Sequence, residues 1–185
     1  MCALPGYTIV EEKTAISATT QLYLAHNKRN NLVLIKRLNK KINNYAYKKS
    51  VQINNLLDKL ASNNILKASH YEEDKHYYYS IHPLPNAQQT LKDYINKKSL
   101  NLHEKLTIAI NSALLLDQLH LQQIIVNNLN DEQLYISQDL QVHMVDLSLA
   151  SKVSTIYKKI PDTHLERQWL PTMSPELSGR MNRPV

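Results

Sequence analysis

The segment IIVNNLNDEQLYI, Ile124 to Ile136, contains the residues whose types bear most directly on chemistry. Its polar centre lies between two apolar runs, a pattern typical of a strand, a turn and a second strand. Asn128 and Gln133 carry amide side chains here. An amide orients a hydroxyl group or offers an oxygen to a metal ion, but it cannot act as a general base. Asp146 follows a further apolar run, and carboxylate oxygen is the ligand that Mg²⁺ prefers.

The elements that must position these residues form two groups along the chain. In residues 1–82, alternating apolar and polar residues predict five strands, with one helix, Asn44 to Leu60, inserted after the third. The last two of these strands, NILKASHYEED and KHYYYSIHPL, form a hairpin around an acidic turn. A connector at 83–86 ends this first group, and the whole order predicts an α+β protein with two lobes.

The second group, residues 87–185, is mostly helical. TLKDYINKK predicts a short helix with Thr90 as its N-cap. Two short strands are expected around Leu134–Ile136 and Val142–Val145. The longest helical signal is NLHEKLTIAINSALLLDQLHLQQ, and its apolar residues predict one broad face. The members of that face are Leu102, Leu106, Ile110, Ala113, Leu114 and Leu119.

Length and composition limit the class of protein. The 185 residues suffice for one substantial core, and a hydrophobic fraction of 43% fits a folded protein. No run approaches the roughly 20 apolar residues of a membrane span, and MCALPGYTIVEEK lacks the features of a secretory signal. The single cysteine, Cys2, cannot form an internal disulfide, so a cytoplasmic location is expected.

The net charge of +6 raises the question of an acidic partner. Basic residues cluster between Asn27 and Lys49. One interpretation is a solvated basic face, and the other is a surface that binds nucleic acid or anionic lipid. The residues that would form this surface are Arg29, Lys36, Arg37, Lys40 and Lys41. Only Tyr45 and Tyr47 interleave the cluster, so the sequence gives weak support to a stacking platform for single strands.

Glycine is almost absent from the chain. Gly6 and Gly179 are its only two glycines. A loop in which backbone amides cradle phosphate depends on glycine for close approach of the main chain. The composition therefore excludes a glycine-rich phosphate loop between these two positions.

Three motifs, in order along the chain, resemble those of protein kinases. VLIK, residues 33–36, is similar to the V-A-I-K strand, and VDLS, residues 145–148, resembles the D-F-G element. MSPELSGRMNRPV, residues 173–185, resembles the A-P-E element and is similar to the kinase domain that opens large bacterial hybrids of serine/threonine kinase, ATPase and histidine kinase. The resemblance implies a protein kinase-like fold that is degenerate and truncated at its C-terminal end. Its small lobe would span 1–82, its hinge 83–86 and its partial large lobe 87–185.

The resemblance also implies roles for individual residues. Lys36 would bind phosphate, and Asp146 would bind magnesium. Leu34 would take the position that touches adenine, where it narrows the pocket. Ile81 would be the gatekeeper of that pocket, and the Leu84 amide would be free to bond adenine.

The departures from the kinase motifs concern catalysis. In H-R-D-x-x-x-x-N, the aspartate position falls on Asn128 and the asparagine position on Gln133, so the base is lost. The loop between the first two strands, EEKTAISATTQ, contains no glycine. A helix glutamate should pair with Lys36, yet positions 47–54 contain no acidic residue. Asn127 in place of arginine also removes the partner of a phosphorylated activation loop.

These departures predict a pseudokinase with a regulatory or binding role in signalling, and with weak or no phosphoryl transfer. ATP and Mg²⁺ are expected to bind weakly or not at all. The expected partner is a protein or the remainder of a signalling protein. Two alternatives remain open: an active atypical serine/threonine kinase that uses Lys36 and Asp146, and a basic module that binds nucleic acid or anionic lipid.

Overall fold

The computed structural model describes residues 4–17, 20–58, 60, 62–84, 87–127, 129–145, 147 and 150–152. These residues form eleven strands and three helices, numbered in chain order among the described residues. The strands are β1 Tyr7–Ser17, β2 Thr20–Asn27, β3 Leu32–Asn39, β4 Ile65–Leu66, β5 His70–Glu73, β6 Tyr77–Pro83, β7 Ala87–Thr90, β8 Ile124–Ile125, β9 Leu134–Ser137, β10 Val142–Val145 and β11 Ser151–Lys152. The helices are α1 Lys40–Leu57, α2 Leu91–Lys97 and α3 Leu102–Leu121.

The first part of the chain forms the expected five-stranded antiparallel sheet, in the order β1-β2-β3-β6-β5. Helix α1 lies between the third and fourth strands of this sheet along the chain. It begins at Lys40, four residues before the predicted start, because the Asn39 side chain caps it by accepting a hydrogen bond from the Lys41 N–H at 3.0 Å. The predicted α+β architecture is confirmed.

The predicted strand NILKASHYEED is divided in two. Its first two apolar residues form β4, which pairs in parallel with β10, placing Ile65 beside Met144. Its residues His70–Glu73 form β5, which pairs with β6 in the five-stranded sheet. Short β4 thus joins a second sheet of order β4-β10-β9-β7. A segment from the first half of the chain therefore contributes to the sheet of the second half.

Both helices of the second part begin at caps that the sequence encodes. The Thr90 hydroxyl accepts a hydrogen bond from the Asp93 N–H at 3.1 Å at the start of α2, as predicted. At the start of α3, the Asn101 side chain accepts from the Glu104 N–H at 2.9 Å, and the Glu104 carboxylate accepts from the Asn101 N–H at 3.0 Å. This reciprocal pair is a capping box. Its hydrogen bonds satisfy two amides that the helix cannot satisfy itself.

The prediction of one broad apolar face on α3 is wrong. Leu119 is fully buried, whereas the other five members of the predicted face are exposed. The buried side is formed by Ile108, Leu115 and Leu119. Apolar residues occur on both sides of α3, so periodicity alone did not identify the side that faces the core.

The core extends through both parts of the chain. The largest buried cluster combines Ile53 and Leu57 of α1 with Leu115 and Leu119 of α3 and Met144 of β10. A second cluster lies on one face of the five-stranded sheet, and a third lies between that sheet and the second part. The third cluster contains Leu34 and Leu84, two residues of the candidate site.

Candidate functional site

Lys36 is held at the centre of the five-stranded sheet. In the register of the sheet it lies between Leu22 of β2 and Ser80 of β6. Only 5% of Lys36 is exposed, so its ammonium group is enclosed by the protein. Because side chains alternate along a strand, Leu34 projects from the same face as Lys36. The structure therefore brings these two predicted site residues together.

The structure does not bring Ile81 to this face. Ile81 pairs with Ile35 and packs in the cluster of Tyr23, Ile35 and Tyr79, on the opposite side of the sheet from Lys36. The prediction that Ile81 faces the pocket assigned the alternating side chains of β6 to the wrong faces of the sheet. All of β6 from Tyr79 to His82 is buried, so burial offers no alternation from which the phase could be chosen.

His82, and not Ile81, projects from the face of the sheet that carries Lys36. It lies opposite Leu34 in the register of β3 and β6. Its Nδ1–H donates to the Leu66 carbonyl at 3.1 Å, and its Nε2 accepts from the Ser80 hydroxyl at 3.2 Å. A bulky, hydrogen-bonded imidazole thus stands beside Leu34. No motif in the sequence marked this residue, since its role follows from strand register.

The Leu84 amide is not free for a ligand. Its N–H donates to the Leu32 carbonyl at 3.1 Å, which extends the pairing of β3 and β6 beyond Pro83. The expectation of a free adenine-binding amide is therefore wrong. A purine could reach this N–H only after the Leu32 hydrogen bond is broken.

Six side chains close the space between the two sheets, and we call them the inter-lobe cluster. Three come from the first part of the chain and three from the second. Leu34 and Val145 are 1% exposed, Leu84 2% and Tyr135 3%. Side chains this deeply buried leave a ligand almost none of their surface to contact. The members of the inter-lobe cluster are Leu22, Leu34, Leu66, Leu84, Tyr135 and Val145.

An ion pair links the two parts beside this cluster. Lys13 of β1 has its Nζ 3.6 Å from the Asp93 carboxylate of α2 and 3.0 Å from that of Glu11. The side chains of residues 14–19, which belong to the glycine-free segment EEKTAISATTQ, lie outside the described residues.

The polar segment between β8 and β9 keeps its place next to the end of β10. Gln133 is buried, and its main-chain carbonyl accepts a hydrogen bond from the Val145 N–H at 3.1 Å. The residue after Val145 is Asp146. Asn128 and Asp146 themselves lie outside the described residues, so their predicted roles stay predictions.

Asn127 makes a polar contact with the start of the next segment. Its side-chain N–H donates to the Ser151 hydroxyl at 2.9 Å. Pairing of β8 with β11 brings these two residues together. A neutral amide that bonds serine replaces the cation that would bind phosphate at this position. The chain beyond Lys152, including the A-P-E-like element of residues 173–185, lies outside the described residues.

No carboxylate of α1 can pair with Lys36. The eighteen residues of α1 contain neither aspartate nor glutamate. Asp58, the first acidic residue after Lys36, follows the helix and pairs instead with Lys67 at 3.1 Å. The ion pair on which kinase chemistry depends is therefore absent between α1 and Lys36.

The predicted basic surface is dispersed by the fold. Lys36 is buried, and the Arg37 guanidinium lies over the ring of Tyr77 at 4.5 Å from its centroid. Lys40 pairs with Glu73 at 2.7 Å. Three of the five predicted cations thus contact the protein itself, and Lys36 is not available to a basic face. Binding of nucleic acid or anionic lipid by the others stays a prediction.

Metal ligands and membrane helices were also sought in the described part of the chain. Among those residues, no group of three or more His, Cys, Asp and Glu side chains comes together to hold a metal ion. Asp146, the predicted Mg²⁺ ligand, is not one of them. No described helix is long and apolar enough to cross a membrane.

The fold and site define a class of protein. The described residues contain the parts of a two-lobed kinase. These parts are a five-stranded antiparallel sheet with one helix, a buried lysine on a strand, and a loop that follows a long helix and precedes a pair of strands. The chain matches the family model for protein tyrosine and serine/threonine kinases over residues 12–181. The protein therefore belongs to the protein kinase family. No match to a curated protein was found.

Proposed function

We propose that this protein is a pseudokinase, a kinase-family domain that binds a partner or regulates a signalling protein and transfers little or no phosphate. The inter-lobe cluster is the observation that carries this proposal. Leu34, Tyr135 and Val145 belong to one buried cluster, and each is almost inaccessible to solvent. On this proposal, the cluster occupies the space on the Lys36 face in which adenine would bind. Nucleotide binding would have to expel a packed apolar cluster, at a cost of several kcal/mol.

The polar groups needed for catalysis are missing as well. Asn128 replaces the proton acceptor, and an amide has no proton affinity suited to that task. No α1 carboxylate orients Lys36. The Leu84 N–H already bonds the Leu32 carbonyl. Losses at the base, the ion pair and the nucleotide pocket together are hard to offset, since each acts on the same reaction.

The residues present thus do not fit ATP. Lys36 remains in place for phosphate, and Asp146 and Gln133 remain candidates for Mg²⁺, but no group among the described residues recognises adenine. The proposed biological context follows from the motif SPELSGRMNR, which is similar to the domain that opens bacterial hybrid kinases. We place the protein in the cytoplasm, the reducing compartment that a single cysteine favours.

Nucleotide binding with and without Mg²⁺ tests the proposal. We expect the melting temperature to be unchanged by millimolar ATP, with or without Mg²⁺, because a ligand stabilises a protein only if it binds the folded state. We also expect no transfer of the γ-phosphate to a generic substrate. An active kinase of known affinity serves as the positive control for both measurements.

The opposite outcome is equally specific. A rise in melting temperature with ATP and Mg²⁺ that is lost in both Lys36→Ala and Asp146→Ala would assign the site to an atypical kinase. Phosphoryl transfer that is abolished by Asp146→Ala would sink the pseudokinase proposal outright.

A further inference from the structure

A polar cavity of about 370 Å³ lies beside the turn between β2 and β3. We call it the turn cavity. Three separate parts of the chain line it, namely the segment that enters β1, the turn itself, and β5. Tyr7 lines the turn cavity and packs against the cluster on the face of the sheet opposite Lys36, so this cavity is separate from the candidate site. Its volume falls in the range of pockets that hold small molecules.

The turn places two cations in the wall of the cavity. The Asn27 side chain accepts hydrogen bonds from the Arg29 N–H at 2.9 Å and from the Asn31 N–H at 3.0 Å. The Asn30 N–H donates to the Asn27 carbonyl at 2.8 Å. These bonds fix the main chain of the turn from within, and Lys28 and Arg29 both line the cavity. Neither of them forms an ion pair with a carboxylate in the described part of the chain.

Gly6 makes room for the side chain of Lys28. Its φ of +89° lies in the left-handed region, which glycine adopts without strain. A Cβ atom at Gly6 would lie 2.8 Å from Cε of Lys28, so the stem of the lysine passes directly over the glycine. One of the only two glycines in the chain therefore stands where it lets this cation lie against the cavity wall.

β5 contributes the opposite charge. The Glu72 carboxylate lines the cavity, and its Oε1 lies 3.1 Å from Nε2 of His70. A carboxylate has two oxygens and can accept further hydrogen bonds. The Tyr7 hydroxyl lies 2.7 Å from the same His70 nitrogen. Burial, and then the nearby Glu72 carboxylate, raise the pKa of Tyr7, so its hydroxyl keeps its proton.

These charges select the ligand. A compound with only a carboxylate would meet the like charge of Glu72, and one with only an ammonium group would meet Lys28 and Arg29. A compound that carries both groups finds an opposite charge for each. Charge-assisted hydrogen bonds of this kind are stronger than neutral ones.

We infer that the turn cavity binds a small zwitterion, a free amino acid or a dipeptide. Its carboxylate would pair with Lys28 and Arg29, and its ammonium group with Glu72. Each ion pair in a hydrated site contributes little, so the expected Kd is about a millimolar. The inference goes beyond the proposed pseudokinase role and does not depend on it.

Titration of the isotope-labelled full chain, followed through its amide NMR shifts, tests the inference. We expect L-alanine or L-alanyl-L-alanine to shift the amides of residues 28–31 in a saturable way, and the tighter of the two identifies which kind of zwitterion the cavity fits. N-acetyl-L-alanine lacks the ammonium group, and L-alaninamide lacks the carboxylate. Each should bind at least about tenfold more weakly than L-alanine, because one charged partner is lost.

The double variant K28Q/R29Q tests the carboxylate end. It should weaken L-alanine binding at least about tenfold, because the cations that pair with the carboxylate are removed. K41Q/K48Q makes the same change of charge at two exposed lysines of α1 and should bind as the wild type does. Gly6→Ala should also weaken binding, since its Cβ would displace the stem of Lys28. Melting temperatures check that each variant is folded.

Glu72→Gln tests the ammonium end. It should weaken L-alanine binding about tenfold, and it should leave N-acetyl-L-alanine binding unchanged or stronger, because a repulsive charge is removed. Glu73→Gln is the matched control, since Glu73 follows on the same strand, pairs with Lys40 and lies outside the lining of the turn cavity. This variant should bind both compounds as the wild type does.

Three results would overturn the inference. One is a set of shifts that saturates with none of the four compounds, as would happen if residues 1–3 filled the cavity. The second is equal affinity for L-alanine and N-acetyl-L-alanine, which would make the cavity a simple anion site. The third is binding by K28Q/R29Q as tight as that by K41Q/K48Q. None of these measurements uses nucleotide, so their failure is separate from failure of the pseudokinase proposal.

Discussion

His143 illustrates how one buried side chain sets a response to acid. It lies on β10, is 6% exposed, and pairs with Tyr135 of β9 in the register of the second sheet. Burial lowers the pKa of the His143 imidazole below its ordinary value, although the main chain at Asn63 and the Asp139 carboxylate oppose this shift. The folded protein therefore binds a proton at His143 less readily than the unfolded chain does.

The sign of the pH dependence follows from this difference. As the pH falls through about 6.5, the unfolded state gains a proton that the folded state resists. We expect the free energy of unfolding to decrease below this pH by up to about 1.4 kcal/mol per pH unit from this residue. Urea denaturation at a series of pH values measures the slope.

His143→Leu should remove this part of the slope. His103→Gln, which replaces an exposed histidine of α3, should retain the wild-type slope and serves as the control. An acid slope that is identical in wild type and His143→Leu would mean that His143 is protonated in the fold and would contradict the prediction.

Residue types were easier to predict than residue positions. The amides at Asn128 and Gln133 and the lack of an α1 carboxylate are visible in the sequence, because chemistry depends on side-chain type. The sequence did not show that His82, and not Ile81, is the β6 residue on the Lys36 face of the sheet. It depends on which of two buried faces of β6 meets α1 and the second lobe, and residues on both faces are buried. The hydrogen bond of the Leu84 amide was also beyond prediction, since it follows from how far β3 and β6 pair.

At the scale of elements, the capping box of α3 makes a quantitative prediction. Asn101 accepts from the Glu104 N–H, and Lys98 adds a contact of 2.5 Å to the Glu104 carboxylate. The hydrogen bond from Lys98 and the one from the Asn101 N–H lower the pKa of Glu104. Asn101→Ala should decrease the free energy of unfolding by about 1 kcal/mol, because it leaves an N-terminal amide without its partner.

Asn55→Ala gives the matched control for this substitution. Asn55 is exposed near the end of α1, where alanine has the higher helix propensity. Its replacement should be neutral or stabilising by a few tenths of a kcal/mol. Equal losses from Asn101→Ala and Asn55→Ala in urea denaturation would show that the cap contributes nothing specific.

Local signals predicted elements well where one residue type decides the outcome. Thr90 before α2 is such a case, because a hydroxyl at the N-cap satisfies a helix amide. Two-residue strands gave no such signal. β4 and β8 are too short for any alternation to be visible, and each exists because of its partner in space, β10 or β11. Their place in the fold is a property of tertiary pairing and not of local sequence.

At the scale of the whole molecule, two buried clusters cross between the lobes. Leu57 of α1 packs in the same cluster as Leu115 of α3, and Leu34 packs with Tyr135. We expect the domain to unfold as one cooperative unit, because neither lobe can separate without exposing shared apolar surface. The denaturant midpoint from tyrosine fluorescence should coincide with the midpoint from helical circular dichroism.

Leu57→Ala sharpens this prediction. The substitution removes a side chain that is 3% exposed and should cost about 2–5 kcal/mol. Hydrogen exchange should then accelerate in α3 as much as in the five-stranded sheet. Faster exchange in the sheet alone, with α3 unchanged, would show two independent units and would contradict the prediction.

The inter-lobe cluster also has a consequence for how the protein could carry information. Enzymes that close around a ligand change shape with the ligand's concentration. Here leucines of the first part of the chain pack in one buried cluster with Tyr135 and Val145 of the second, so the two parts share a core. If nucleotide does not bind, as the proposed pseudokinase function requires, a partner would meet the same shape whether the cell is rich or poor in nucleotide. The cell would then regulate this protein through its abundance and through its affinity for the partner, and not through a ligand-dependent change of shape.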